Sequence, residues 1–169
     1  MKLGLSLAGY VLSIILANML TAQFGLVPAG FGLVVTAGTY AAGFALLFRD
    51  FVQRYGRIRW ALAAIAVGGI LSALLASPAI ALASTVAFLV AELVDLGVFT
   101  PLRRRVGFAR AVIYSNLVSA PVDTVIFLWL AGFPVTWPAV LGQFLVKMVW
   151  ATIIPLCIYT TVRHRAVLR

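Results

Sequence analysis

Residues 3–48 read LGLSLAGYVLSIILANMLTAQFGLVPAGFGLVVTAGTYAAGFALLF, a run without one Asp, Glu, Lys or Arg. A second charge-free run covers residues 60–91. Roughly 20 apolar residues cross the hydrocarbon core of a bilayer, so each run is long enough for two crossings. Of the 169 residues, 64% are hydrophobic and 10% charged, against about 45–50% and about 25% in soluble domains. Mean hydropathy is +1.13. No soluble core of this length hides so much apolar surface.

Working outward from those runs, the pattern predicts an all-α integral membrane protein, a six-transmembrane-helix bundle. Its helices fall at about 4–22, 31–50, 60–76, 79–99, 111–131 and 139–161, within one transmembrane domain over residues 1–169. The stretch from Leu3 to about Thr21 exceeds the roughly 7–15 residues of a signal-peptide core and no A-x-A site follows it, so it reads as a retained first helix.

The net charge of +9 is distributed by topology. Twelve of the thirteen Lys and Arg residues fall at the N-terminus, at 49–59, at 103–110 and at the C-terminus. The three intervening turns hold none. Cations concentrate on the cytoplasmic side, so both termini are placed inside. The lipid bilayer, and not nucleic acid, is the partner that this pattern implies.

Chemistry of the catalytic kind finds no foothold. The one cysteine, Cys157, excludes an intramolecular disulfide, and the one histidine, His164, lies in the basic tail. There is no second histidine, H-E-x-x-H, P-loop or G-x-S-x-G, so no enzyme, metal site or cofactor is expected. Ala64, Gly68, Ser72 and Ala76 form a ridge of small residues that permits close helix approach, within the bundle or at a dimer seam.

The charges inside the spans are more informative. Only four carboxyl side chains exist, and Glu92, Asp95 and Asp123 lie deep in predicted helices together with Lys147. Each such group costs on the order of 2.5–3.5 kcal/mol to insert, and such groups normally face a bundle interior or a wet cavity. At ~1.5 Å per residue, Glu92 lies roughly 16 Å from Arg103 and Asp123 roughly 20 Å from Arg110. Both are near the midplane, with Lys147 and Asn18 towards the outer half. Glu92 and Asp95 share a helix face with Phe88 and Phe99. Asn116, Ser119, Asp123 and Phe127 form a second stripe, and Gln143 and Lys147 a third. Polar stripes beside aromatics suit a pocket for a flat polar ring. Asp50, beside Arg49 and Arg54 at the predicted end of the second helix, reads equally as a surface ion pair or a site residue.

The segment Ser115-Asn116-Leu117-Val118-Ser119-Ala120-Pro121-Val122-Asp123-Thr124 resembles the signature of the vitamin uptake transporter family, also known as queuosine-precursor transporters. Ala91-Glu92-Leu93-Val94-Asp95, Lys147 with Pro155, Asn18, and Arg49-Asp50 followed by Arg54-Tyr55-Gly56-Arg57 match it too. The resemblance implies an importer of 7-deazaguanine precursors of queuosine, such as preQ0 or preQ1. It adds Asp50 to a substrate-binding set of Asn18, Phe88, Glu92, Asp95, Asn116, Ser119, Asp123, Phe127, Gln143 and Lys147. Asp123 or Glu92 could accept two ring donors in a fork, with Phe127 or Phe88 stacking. A substrate-binding subunit that needs a separate coupling subunit, like the S-components of vitamin transporters, stands as the alternative. A homodimer also stays open.

Overall fold

In the first helix, α1 (Lys2–Phe24), two buried serines bond within the helix itself. The buried residues Ser6, Tyr10, Ser13, Ile14, Ala17, Asn18 and Thr21 recur at helical spacing along one face, while Leu5, Leu12, Leu16 and Met19 are exposed. Ser6 and Ser13 donate their hydroxyls to the carbonyls of Lys2 and Gly9, at 2.9 and 2.8 Å. Bonding back to the preceding turn closes the hydroxyl within its own helix, as a lipid environment requires. The computed structural model describes residues 2–154, 156, 157 and 160 (the side chains of Arg54 and Ala151 excepted). Pro155, His164, Arg163, Arg165 and Arg169, with the predicted end of the sixth helix, lie outside the described residues.

After α1 the chain does not enter a helix at residue 31. It forms an antiparallel hairpin, β1 (Leu26–Gly30) and β2 (Leu33–Thr36), with Val27 opposite Val35 and an irregularity between Pro28 and Gly30. β-Branched valines favour extended backbone. The tip Gly30-Phe31-Gly32 turns through positive φ at all three residues, +90°, +53° and +75°, which glycine adopts without steric cost. The predicted helix over 31–50 is therefore corrected: α2 runs from Thr39 to Tyr55. The Thr21 hydroxyl accepts from the Gly38 amide at 3.1 Å, and the Thr36 and Thr39 hydroxyls pair at 2.9 Å, fixing the start of α2 beside α1.

Next come α3 (Ile58–Leu75), α4 (Pro78–Val106) and α5 (Phe108–Leu130). The small-residue ridge of α3 faces inward: a Cβ on Gly68 would lie 3.0 Å from Ile14 of α1. α4 continues through Pro101 to Val106, so Arg103, Arg104 and Arg105 occupy its last turn and not a loop after about 99. Its 29 residues span about 43 Å, more than the ~30 Å hydrocarbon core, which carries the arginines to the polar boundary. The regular part of the last helix, α6 (Trp137–Leu145), gives way to a π-helical segment, Val146–Ile153.

Among the described residues α1, α3, α4 and α5 are each long and apolar enough to cross a bilayer. The protein is a helical, multi-pass membrane protein, and among the described residues its one sheet is the two-stranded hairpin. That hairpin seats on α6, where Gly142 leaves room for the Val34 carbonyl.

Gly38 sets the approach of α2 to α1, because a Cβ there would run into the Ala17 carbonyl. Gly38→Val is expected to cost about 1–3 kcal/mol through overpacking, read as a lowered thermal midpoint in detergent. Gly97→Ala, with open space around its Cβ, leaves the midpoint level or raises it. Equal midpoints for both variants would contradict the close contact.

Candidate functional site

The late start of α2 displaces its end by roughly one and a half turns relative to the sequence expectation. Arg49 and Asp50 consequently sit inside the helix, on the stripe that carries Ala45 and Leu46, and not at the boundary. Arg49 is 2% exposed. Its guanidinium meets Asp50 at 3.0 Å, Glu92 at 3.3 Å and Asp95 at 3.0 Å, and Nη2 donates to Asn116 Oδ1 at 2.9 Å. The Gln53 amide, one turn further along α2, donates to Glu92 Oε1. Glu92 and Asp95 are fully buried, so α2, α4 and α5 are tied together through one cation.

A second buried pair lies on the other side of Asn116. Lys147 Nζ donates to Asp123 Oδ2 at 2.7 Å and to the Thr124 hydroxyl at 2.8 Å, joining the π-helical segment to α5. The two clusters are linked by hydrogen bonds. Asn116 Nδ2 donates to Thr152 Oγ1, and that hydroxyl donates to the Lys147 carbonyl, both at 3.1 Å. The latter bond reaches back five residues, the π-helical repeat. Such segments are frequent at functional sites.

Beside the Lys147–Asp123 pair is a small cavity of about 20 Å³ lined by Asn18, Phe88, Asp123, Phe127, Gln143 and Lys147. Thr36 and Thr39 close it from the hairpin side. Asn18 Nδ2 and Gln143 Nε2 are buried without a hydrogen-bond partner. The cavity thus combines an ion pair, two amide donors with nothing to donate to, and two aromatic faces. Pockets that hold drug-sized ligands span about 300–1,000 Å³, so this conformation is closed around the polar groups.

The structure divides the sequence-predicted set. Asn18, Phe88, Asp123, Phe127, Gln143 and Lys147 share the cavity, whereas Asp50, Glu92, Asp95 and Asn116 gather around Arg49 and do not line it. Ser119 is buried, lines no part of the cavity and has no hydrogen-bond partner. Asp50 is not a surface pair; it is 2% exposed. Sequence reasoning also matched three acids against Lys147 alone. Arg49 is the missed cation, and Gln53, Thr124 and Thr152 are missed polar partners. Among the described residues no group of three His, Cys, Asp or Glu side chains is placed to hold a metal ion.

A multi-pass helical protein with a closed, amide- and ion-lined cavity among its helices has the build of a solute carrier. Comparison with protein families agrees: residues 5–161 match the family described as "Putative vitamin uptake transporter", and the chain belongs to that family. No curated protein and no solved structure matches it.

Removing one member of a buried ion pair costs about 3–5 kcal/mol, while replacing both is often neutral. Lys147→Met and Asp123→Asn are each expected to lower the unfolding free energy by that order, and the double variant to recover most of it. Additive losses in this cycle would show that the two groups are not coupled.

Proposed function

We propose that the protein is an inner-membrane importer of a small heteroaromatic solute, a 7-deazaguanine precursor of queuosine such as preQ0 or preQ1. In this reading six helical segments cross the membrane, α2 and the α6–π segment included, with both chain ends cytoplasmic. The observation that carries it is the composition of the cavity: a carboxyl, a lysine, two unpartnered amides and two phenylalanines.

A 7-deazaguanine ring presents N1–H and the 2-amino group side by side. A carboxylate accepts both in fork geometry, and its roughly four lone-pair sites leave room for this beside the Lys147 bond. Asp123 takes that role. The free amides of Asn18 and Gln143 supply donors for the ring carbonyl and ring nitrogen that remain, and Phe88 and Phe127 stack on the faces. Leaving any of these polar groups unpaired is costly, which is how a site rejects rings with the wrong edge. At about 20 Å³ the cavity is too small for the ring, so loading requires it to widen.

The test is uptake of labelled preQ0 or preQ1 in cells lacking their own synthesis and transport. Expression is expected to restore queuosine in tRNA, and Asp123→Ala to abolish uptake while the protein still inserts. No recovery with the unaltered protein would move the substrate to another vitamin or base. Uptake by the purified protein alone in liposomes is also expected; a requirement for an ATPase and a membrane coupling subunit would make it a binding subunit instead.

A further inference from the structure

The Arg49 cluster is out of charge balance in a way that the cavity is not. Lys147 and Asp123 cancel one another, but around Arg49 three carboxyls share one guanidinium. Full ionisation would leave two negative charges uncompensated at bilayer depth, where charge is costly. Asp50 Oδ2 and Asp95 Oδ2 are buried and have no hydrogen-bond partner. Lys147 gives no help, since it donates to Asp123 and Thr124. The groups packed about the cluster are Arg49, Asp50 and Gln53 of α2, Glu92 and Asp95 of α4 and Asn116 of α5. Tyr10 of α1 interacts with it electrostatically.

A separate feature leads to the same place. A cleft of about 380 Å³ opens at the arginine-bearing end of α4, lined by Gln53, Ile58, Leu96, Phe99, Thr100 and Arg103. Gln53 forms part of its wall and donates to Glu92. The Gln53 side chain therefore touches both the buried cluster and a cleft wide enough for water.

We propose that Arg49, Asp50, Glu92 and Asp95 form a proton-binding site, distinct from the ligand cavity, that exchanges its proton with the cytoplasm through Glu92 when the Gln53 amide moves aside. This rests on the reading of the protein as a transporter and adds the ion that drives it. A proton is the cation that fits, because the guanidinium already fills the space between the carboxyls. In the exchange step the O–H bond of the Glu92 carboxyl breaks, its electron pair stays on the carboxylate oxygen, and the proton passes to water in the cleft. The link to the solute is the chain from Arg49 through Asn116 and Thr152 to the Lys147 carbonyl. A shift of the π-helical segment on loading pulls Asn116 from Arg49 and changes how much negative charge the guanidinium offsets.

Two measurements test it. The chain has four carboxyl side chains, so infrared difference spectra of the purified, ligand-free protein between neutral and alkaline pH assign readily. A protonated-carboxyl band is expected at neutral pH, weakened by Glu92→Gln and by Asp95→Asn. Absence of the band in the unaltered protein overturns the proposal, as does a band unchanged in both of those variants and in Asp50→Asn. In proteoliposomes, one coupled proton makes a gradient of one pH unit support about tenfold accumulation of labelled preQ0, and Glu92→Gln removes the dependence on the gradient. Accumulation indifferent to the gradient in the unaltered protein overturns the coupling. If preQ0 is not taken up at all, the substrate reading fails, while the infrared band still decides the proton site.

Discussion

One guanidinium, that of Arg49, is buried among packed helices at 2% exposure. Arg49 survives there because three carboxyls and an amide oxygen surround it, and those carboxyls are tolerable because Arg49 is among them. Neither side of the arrangement is readily buried alone. The mutual requirement fixes α2 against α4 and α5 more specifically than apolar packing does, since helices in lipid gain little from burying one apolar surface against another.

The rest of the architecture serves that placement. The hairpin absorbs the residues between α1 and α2, starts α2 at Thr39 and so delivers Arg49 and Asp50 to the interior. Gly38 lets α2 lie against α1, and Gly142 lets the hairpin lie against α6. The π-helical turn gives Thr152 its reach to the Lys147 carbonyl. The result is two buried charge clusters in series, one balanced and beside a closed cavity, the other acidic and beside a cleft. In the proposed transport of a polar ring and a proton, the two clusters are the stations and the Asn116–Thr152 hydrogen bonds are their connection.

Much of this was legible from the residues. The charge-free runs announced a membrane protein, and the spacing of Asn116, Ser119, Asp123 and Phe127 placed Asp123 and Phe127 together on the cavity side. What failed was the stretch 31–38, read as the start of the second helix, where apolar content concealed the second strand of a hairpin. The signal was present in the valines on either side of Gly30-Phe31-Gly32, a pattern of turn glycine and β-branched residues. Missing it kept Arg49 at the boundary, counted among the interfacial cations. The expectation of one pocket accordingly merged the cavity residues with the cluster around Arg49. The π-helical segment had no comparable signal in the residues.

The central claim is that a 7-deazaguanine ring binds against Asp123, between Phe88 and Phe127, and away from Arg49. An experimental structure of the protein with preQ1 bound tests it most directly. Ring density within hydrogen-bond distance of Asp123, with Asn18 and Gln143 on its other edges and the Arg49 cluster intact, is the predicted result. Density for the ring among Glu92, Asp95 and Arg49, with the Lys147–Asp123 pair undisturbed, would contradict it.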